Sequence, residues 1–251
     1  MVARFGPAGA GRCVLLAMLA FPGIAHAQAD HVRISINFGT QQPSATTFTA
    51  ATTKPIYLET ATFTTSYNTP KAQMFDGGVL VRVAGGFAVG VSLSNFSKSA
   101  IGAVTGSVPH PFFFNTPRTI TGTTGSLGRT ETAAHVQLGY IAASKHVDVA
   151  VTGGPSFFSV SQDLVSDVTF TDAYPYDTAT FGTAAVTNVS TSKVGFNVGG
   201  DVALKFSRNV GVGGLIRYTK ASMNFPLTGS ASGISTDAGG LQAGGGVRFF
   251  F

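Results

Sequence analysis

The alternation of apolar and polar residues with a period of two restricts this fold more than any other feature of the sequence. In residues 193–206, Val, Phe or Leu occupies almost every second position, and Lys, Gly, Asn, Asp and Ala lie between them. Successive side chains of a strand point to opposite sides, so this pattern predicts a strand with one apolar face. No window after residue 27 keeps a helical period for three turns, which predicts an all-β chain. Strands are expected at residues 32–40, 73–84, 87–93, 129–142, 146–162, 193–206 and 210–218.

The two faces of these segments argue against a soluble β-sandwich, which is the competing interpretation. The wet face of a sandwich is rich in Lys, Glu and Thr, whereas the polar face here is mostly Gly, Ala and Ser with a few charges. Charged residues make up 11% of the chain, less than half of the ~25% found in ordinary soluble domains. Small residues suit the crowded interior of a small barrel, and an uncharged apolar face suits lipid. The sequence therefore favours a transmembrane β-barrel.

The connections between these strands alternate between short and long. Tight turns are expected at 85–86, 143–145 and 207–209, and long connections at about 99–128, 166–191 and 225–239. Transmembrane barrels have this rhythm, with short turns in the periplasm and long loops outside, and an even strand count. Residues 41–72 leave the count open. If Ile56–Tyr67 belongs to a hairpin above the membrane the barrel has eight strands, which we prefer, and if one more strand is hidden it has ten.

The first 27 residues have the order of a secretory signal peptide. Met1 to Arg12 carries two arginines and no acid, residues 13–19 are apolar, and Ala25-His26-Ala27 ends the run. The apolar part is too short to span a bilayer as a helix, and a retained amphipathic anchor would leave the Ala-x-Ala ending unexplained. We expect a signal peptide at 1–27 and a barrel domain at 28–251. The mature chain has no Cys, and its 14 basic and 11 acidic residues give no reason to expect a nucleic-acid partner.

The final segment alternates up to its last residue. One face carries Leu241, Ala243, Gly245, Val247, Phe249 and Phe251, and the other carries Gln242, Arg248 and Phe250. With the signal peptide and the turn rhythm, this strand resembles the carboxy-terminal signal of small, eight-stranded bacterial outer-membrane β-barrel proteins, over essentially the whole mature chain. The resemblance implies a closed antiparallel up-and-down barrel in the Gram-negative outer membrane. It also implies recognition of Phe249 and Phe251 by the barrel assembly machinery.

Motifs for catalysis or for a cofactor are missing from the sequence. The mature histidines, at 31, 110, 135 and 146, form no zinc-binding spacing, and neither Gly-x-Ser-x-Gly nor a phosphate-binding loop occurs. Some proteins of the family that the chain resembles modify lipid A with a Ser-His-acid group. Glu131 and His135 share one face, but about 13 Å separates them, and no serine neighbours His135. We therefore expect no catalytic residue, no cofactor and no metal.

Polar residues on the inward faces should pair inside the barrel, because an unpaired buried charge costs several kcal/mol. Eight strands leave an interior just wide enough for side chains to fill, so we expect a plugged lumen. The expected inward residues are Arg82, Arg129, Glu131, His135, Gln137, Lys193, Asn197, Asp201, Lys205, Arg217 and Arg248.

The long connections are the better functional candidates. They are rich in Pro and aromatic residues, which offer apolar contact area at modest entropic cost. We expect a structural or surface-interaction protein whose loops contact lipopolysaccharide, another cell or a host ligand; the alternative is that these loops only pack on each other and roof the barrel. A small pore or a conduit for hydrophobic compounds, and a lipid A-modifying enzyme, are two further alternatives. The candidate contact residues are His110, Phe112, Phe113, Phe114, Tyr174 and Tyr176.

Overall fold

The computed structural model describes residues 31–226 and 234–251, which form an all-β protein. The predicted signal peptide lies outside the described residues, as does most of the loop within the connection predicted at 225–239. Within the described ranges, no helix has the length and apolarity needed to cross a membrane. The strands are β1 (Val32–Pro43), β2 (Thr47–Ile56), β3 (Glu59–Asn68), β4 (Ala72–Ala84), β5 (Phe87–Val108), β6 (Arg118–Ala143), β7 (Val147–Asp172), β8 (Ala179–Lys205), β9 (Val210–Phe225) and β10 (Ile234–Phe250).

Eight of these strands close into an antiparallel ring. The order around it is β1, β4, β5, β6, β7, β8, β9 and β10, and β10 pairs with β1. Strands β1 and β10, whose pairing closes the ring, approach each other closely, since a Cβ added at Gly246 would overlap the carbonyl oxygen of Ile36. Strands β2 and β3 form a hairpin outside the ring, and β3 pairs with the distal part of β5, from Thr62 with Ser107 to Ser66 with Ala103. The eight-stranded barrel with a hairpin at 41–72 is therefore confirmed.

The two ends of the ring differ, as the turn rhythm predicted. At one end β4–β5, β6–β7 and β8–β9 are joined by two to four residues, and short turns of this kind face the periplasm. At the other end the long connections proved to be mostly strand. Strand β5 runs to Val108 and β6 starts at Arg118, while β7 runs to Asp172 and β8 starts at Ala179. The loop prediction was wrong there because it required a lipid-facing apolar face, which strands beyond the membrane do not need.

The outward face of the ring carries an apolar belt in the half that is nearer the tight turns. Its side chains are large and exposed, which is unfavourable in water and is required against lipid. This belt confirms the predicted transmembrane barrel. Representative members are Ile36, Phe75, Phe87, Val91, Leu138, Val151, Val198, Leu204, Ile216 and Val247.

Beyond the belt the strands continue as a structure that we call the extension: residues 47–68, 97–130, 159–195, 220–226 and 234–238. Here the inward-facing side chains are mostly apolar and belong to two clusters. The β2–β3 hairpin fills the interior, with Ala61 and Phe63 in one cluster and Tyr67 in the other. A bulge in β7 turns the amide and carbonyl of Val165 towards the hairpin, where the amide donates to the Tyr67 hydroxyl (2.8 Å) and the carbonyl accepts from Thr52 (3.3 Å).

Candidate functional site

The lumen contains an upper polar layer centred on Glu131. One carboxylate oxygen accepts from Arg129 Nε at 2.7 Å, and the other accepts from Gln41 Nε2 and from the backbone amide of Gly239, both at 2.9 Å. Gly239 has a φ of 84°, a left-handed conformation that glycine adopts readily. Arg129 and Glu131 are both about 3% exposed. The charge of Glu131 is thus fully compensated inside the barrel.

A middle layer is centred on Arg217, the most deeply enclosed cation of the lumen together with Arg248. Its guanidinium donates to Asp76 at 2.5 Å, and to Gln242 and Ser92 at 2.8 Å each. Gln242 in turn donates to Gln41 at 2.7 Å, which joins this layer to Glu131 above it. A continuous hydrogen-bonded chain therefore crosses the lumen from β6 to β4.

A lower layer lies near the periplasmic end. Arg248 donates to both carboxylate oxygens of Asp201, at 2.5 and 3.2 Å, and Arg33 lies 3.4 Å from the same group. Lys205 pairs with Asp148 at 3.2 Å and lies over the ring of Phe250, 4.5 Å from its centre. Between the lower and middle layers is a cavity of about 30 Å³, which has room for about one water molecule.

His135 lies between two serines from neighbouring strands. Its Nε2 is 2.9 Å from Ser94 Oγ and its Nδ1 is 2.7 Å from Ser156 Oγ. The expectation that no serine neighbours His135 is therefore wrong, because strand pairing brings residues 41 and 21 positions away into contact. The Glu131 carboxylate is bound by Arg129, Gln41 and the Gly239 amide.

Asn197 repairs an interruption in the β6–β7 ladder. Pro155 has no amide hydrogen and falls where the pairing of β6 with β7 is interrupted between His135 and Leu138. The Asn197 side-chain nitrogen lies 3.0 Å from the Gly154 carbonyl, 3.2 Å from that of Pro155 and 2.9 Å from Ser156 Oγ. The same nitrogen lies 3.3 Å from the Val136 carbonyl on β6, so one side-chain amide faces backbone acceptors of both strands at the interruption.

At the opposite end, Arg118 joins the external loops. Its guanidinium donates to Asp172 (2.5 Å), to the carbonyl of Tyr176 (3.1 Å) and to that of Pro109 (2.8 Å). Asp172 also accepts from the hydroxyl of Tyr57, at the turn of the β2–β3 hairpin (3.0 Å). This hydrogen bond is the main reason that the pKa of Tyr57 is raised. Three separate connections are thus held by one buried cation and its carboxylate partner.

The loops held by Arg118 display an aromatic surface that we call the outer tip: Tyr57, Leu58, Phe112, Phe113, Phe114, Tyr174 and Tyr176. Leu58 is 95% exposed, Tyr174 87%, and the three phenylalanines between 62% and 70%. Phe112 packs edge-on against Tyr176 with centroids 5.3 Å apart. His110 is buried instead of exposed, and its Nδ1 accepts from the amides of Phe112 and Phe113 at 3.1 and 3.2 Å. The expectation that His110 is a contact residue is wrong.

Comparisons with known proteins give matches among solved structures. No protein-family profile and no curated protein sequence matches the chain. It is similar to the outer-membrane protein OprG of Pseudomonas aeruginosa, with 8% identity, 89% of this chain and 96% of that chain covered, and a TM-score of 0.49. It is also similar to the outer-membrane protease OmpT of Escherichia coli, with 7% identity, 88% of this chain and 97% of that chain covered, and a TM-score of 0.48. For Ail of Yersinia pestis the identity is 11%, the coverage is 87% of this chain and 99% of that chain, and the TM-score is 0.37. At these identities the likeness concerns the fold alone.

The fold is that of a bacterial outer-membrane β-barrel. The closed antiparallel ring and its apolar belt, which lie in lipid, place this barrel in the outer membrane. Among residues 31–226 and 234–251, no three His, Cys, Asp or Glu side chains come together as a possible metal site.

The structure brings most of the predicted lumen residues of this barrel together, in the three layers and around His135. Gln137 is half-buried and lines the small cavity, and Arg82 is half-buried at the periplasmic end of β4. Lys193 is exposed, because β9 pairs with β8 only from Phe196 onward, and the expectation that it lies in the lumen is wrong. Sequence reasoning missed the partners Arg33, Asn37, Gln41, Asp76 and Asp148, and it placed Gln242 on the face of Arg248 without naming it as a lumen residue. The alternation of Arg33, Ser35 and Asn37 with Ile34, Ile36 and Phe38 was the signal for the first of them.

Proposed function

We propose that this outer-membrane barrel is a closed, non-enzymatic surface protein that makes contact with other molecules through its outer tip. The observation that carries the proposal is an exposed aromatic surface on loops that Arg118 holds in place. In this proposal a signal peptide at 1–27 exports the chain, and the mature domain is 28–251.

The outer tip combines exposure with a constrained backbone. The non-glycine residues with positive φ in residues 31–226 and 234–251 are Tyr57, Leu58, Asn115 and Tyr176, at 52°, 66°, 55° and 74°. All four lie in the loops of the tip. At Tyr57 and Leu58 the positive φ belongs to the two-residue turn between β2 and β3, and at Asn115 and Tyr176 it marks a loop backbone held in a sparsely populated conformation. Rigid aromatic residues lose little conformational entropy when they bind, which is the property of a recognition surface.

The hydrogen-bonded layers support a closed lumen. Each buried carboxylate of the layers has a cationic partner, and the chain from Glu131 through Gln41 and Gln242 to Arg217 spans the interior. Because water would have to replace these bonds for a path to open, we expect no steady conductance. Purified protein in planar bilayers tests this: steps of porin size would contradict the closed lumen.

The surroundings of His135 support a non-enzymatic role. Both ring nitrogens are taken up by serine hydroxyls, neither nitrogen contacts a carboxylate, and His135, Ser94 and Ser156 are at most 5% exposed. A nucleophile needs access to its substrate and an oriented base. We therefore expect lipid A of unchanged mass in cells that express the protein. A mass change that disappears with His135→Gln would contradict this part of the proposal.

The contact role is tested with the triple variant Phe112→Ser, Phe113→Ser and Phe114→Ser, displayed on cells that otherwise do not adhere. The probes are an epithelial cell monolayer and vesicles that contain lipopolysaccharide. We expect the wild type to adhere to at least one of the two, and the triple variant to lose about tenfold or more, since a few aromatic residues dominate most interfaces. The control is Ile101→Ser with Val186→Thr, which changes exposed apolar residues of the extension away from the tip. The contact role would be contradicted if cells displaying the wild type adhered to neither probe, or if cells displaying the triple variant adhered equally well.

A further inference from the structure

The net charge of the barrel is concentrated at its periplasmic end. Of the 14 basic and 10 acidic residues in the described chain, six basic and two acidic residues lie below the Arg217–Asp76 layer. The remaining eight basic and eight acidic residues cancel. The whole excess of four positive side-chain charges therefore belongs to one end. Those basic residues are Arg33, Arg82, Lys145, Lys205, Arg208 and Arg248, and the acidic ones are Asp148 and Asp201.

Part of this charge lines a cleft between two neighbouring turns. The cleft has a volume of about 460 Å³, which is within the range of small-ligand sites. The β6–β7 and β8–β9 turns lie side by side because β7 pairs with β8, and the Lys205 amide donates to the His146 carbonyl at 2.9 Å. The lining residues are Ser144, Lys145, His146, Lys205, Phe206, Ser207 and Arg208, and none of them is acidic.

The backbone of these turns is fixed by their serines. Ser144 Oγ donates to the Val147 carbonyl at 2.8 Å, and Ser207 Oγ accepts from the Val210 amide at 3.1 Å. Lys145 and Arg208 are both exposed. Lys205 is already paired with Asp148, so the cations of the cleft that can meet an anion are the exposed Lys145 and Arg208, on turns whose backbone is fixed.

The position of the cleft identifies the kind of anion. Val147 and Leu204 pair directly above it and belong to the lipid-facing belt. Phe206, at the rim, is 73% exposed, and girdles of aromatic residues flank the apolar band of an outer-membrane barrel at both interfaces. Lysine and arginine are the side chains that bind phosphate most strongly. The cleft lies just beyond the lipid-facing belt, which is the level at which we expect the phosphates of the inner leaflet.

We infer that the cleft between the β6–β7 and β8–β9 turns binds the phosphate headgroup of an anionic glycerophospholipid from the inner leaflet of the outer membrane. Lys145 and Arg208 pair with the phosphate, and the acyl chains lie against Val147 and Leu204. The net positive end then also fixes the depth of the barrel in the bilayer, because it is held at the inner phosphate level.

Native mass spectrometry of the full chain in detergent, with phosphatidylglycerol or phosphatidylcholine added, tests the site. We expect the wild type to retain phosphatidylglycerol in preference to phosphatidylcholine. One basic side chain near an anionic surface contributes about fivefold in affinity, so Lys145→Gln with Arg208→Gln should lower phosphatidylglycerol retention about 25-fold. The charge-matched control is Lys98→Gln with Lys193→Gln, two exposed lysines outside the periplasmic end. It should stay within about twofold of the wild type.

Two further probes separate the source of the anion. Inorganic phosphate alone and a muropeptide from peptidoglycan are added in place of lipid. Retention of either one without retention of phosphatidylglycerol would overturn the inference, as would equal retention of the two lipids or equal loss in both double variants. Heat-modifiable migration on a detergent gel shows that each variant is folded, so that a folding defect cannot imitate the loss of a site.

Discussion

The membrane-spanning part of this barrel and its extension are built from the same strands with opposite interiors. On β7, Val149 and Val151 face outward while Asp148 and Thr152 face the lumen. Farther along the same strand, Ser159 and Ser161 take the outward positions, and Val160 and Leu164 are buried. The same alternate positions of β7 face inward throughout, but they are polar within the membrane and apolar in the extension. The change marks where the solvent outside the wall turns from lipid to water.

This reversal separates two kinds of stabilisation within one sheet. In the membrane, apolar side chains already face an apolar solvent, so the interior can be filled by paired charges and amides. In the extension water surrounds the wall, and burial of Phe63, Val104 and Ile120 lowers the free energy in the usual way. Substitutions in the two regions should therefore destabilise the protein for different reasons: loss of a polar partner in the lumen, and loss of apolar burial in the extension.

The largest effect is expected for Asp76→Leu, which leaves the Arg217 guanidinium unpaired in the lumen. Breaking one side of a buried ion pair costs about 3–5 kcal/mol, whereas the double substitution Asp76→Leu with Arg217→Met should recover most of the loss. Because the chain has no Trp, unfolding in guanidinium is followed by circular dichroism.

The matched control in the extension is Lys54→Met. Its pair with Asp167 is more than 40% exposed on both sides, so the loss should be at most about 1 kcal/mol. If Asp76→Leu cost no more than Lys54→Met, the lumen would not behave as a buried polar network, and the contrast between the two regions would fail.

Phe63→Ala should cost about 3 kcal/mol, since it opens a cavity in the core of the extension. We expect the loss to be local: chymotrypsin cleaves the β2–β3 hairpin rapidly while the barrel keeps its heat-modifiable migration. Phe114→Ala, at an exposed ring, is the control and should change neither property. Loss of heat-modifiable migration in Phe63→Ala would show that the extension and the barrel fold as one unit.

The same contrast explains which features could be predicted from the sequence. The ring strands were predictable because their outward faces, such as Phe87, Val89, Val91 and Leu93, meet lipid and carry no charge. The continuation of β5 to Val108 was not, because the criterion of an apolar outward face fails where Asn95 and Ser97 face water. The contacts of His135 with Ser94 and Ser156 depend on strand register, which no local pattern specifies. The sequence could predict which residues face inward, but not which residues they contact.

A smaller effect is expected for Asn197→Leu, which removes the donor that faces the carbonyls of Gly154 and Pro155. Unsatisfied buried acceptors cost about 1–3 kcal/mol. Asn188→Leu is the control in the extension: Asn188 bonds Asp163 at an exposed position, where water replaces the lost bond. Guanidinium unfolding compares the two. A cost for Asn197→Leu as low as that of Asn188→Leu would mean that the interruption at Pro155 needs no donor.

The smallest effect is a pH dependence confined to the outer tip. The hydrogen bond to Asp172 raises the pKa of Tyr57 above the usual value of a tyrosine, so the neutral phenol is favoured when the hairpin is docked. The contribution of this bond is fully present below about pH 10, the pKa of tyrosine in the unfolded chain, and is lost as the pH rises through the higher pKa of the folded protein.

Chymotrypsin cleavage at the hairpin turn should therefore accelerate above about pH 10 in the wild type. Tyr57→Phe should cleave faster at pH 8 and show less change with pH, while the heat-modifiable migration of both proteins stays the same. A wild-type cleavage rate that rises in parallel with that of Tyr57→Phe would show that other groups control the docking of the hairpin, and that the bond to Asp172 contributes nothing to it.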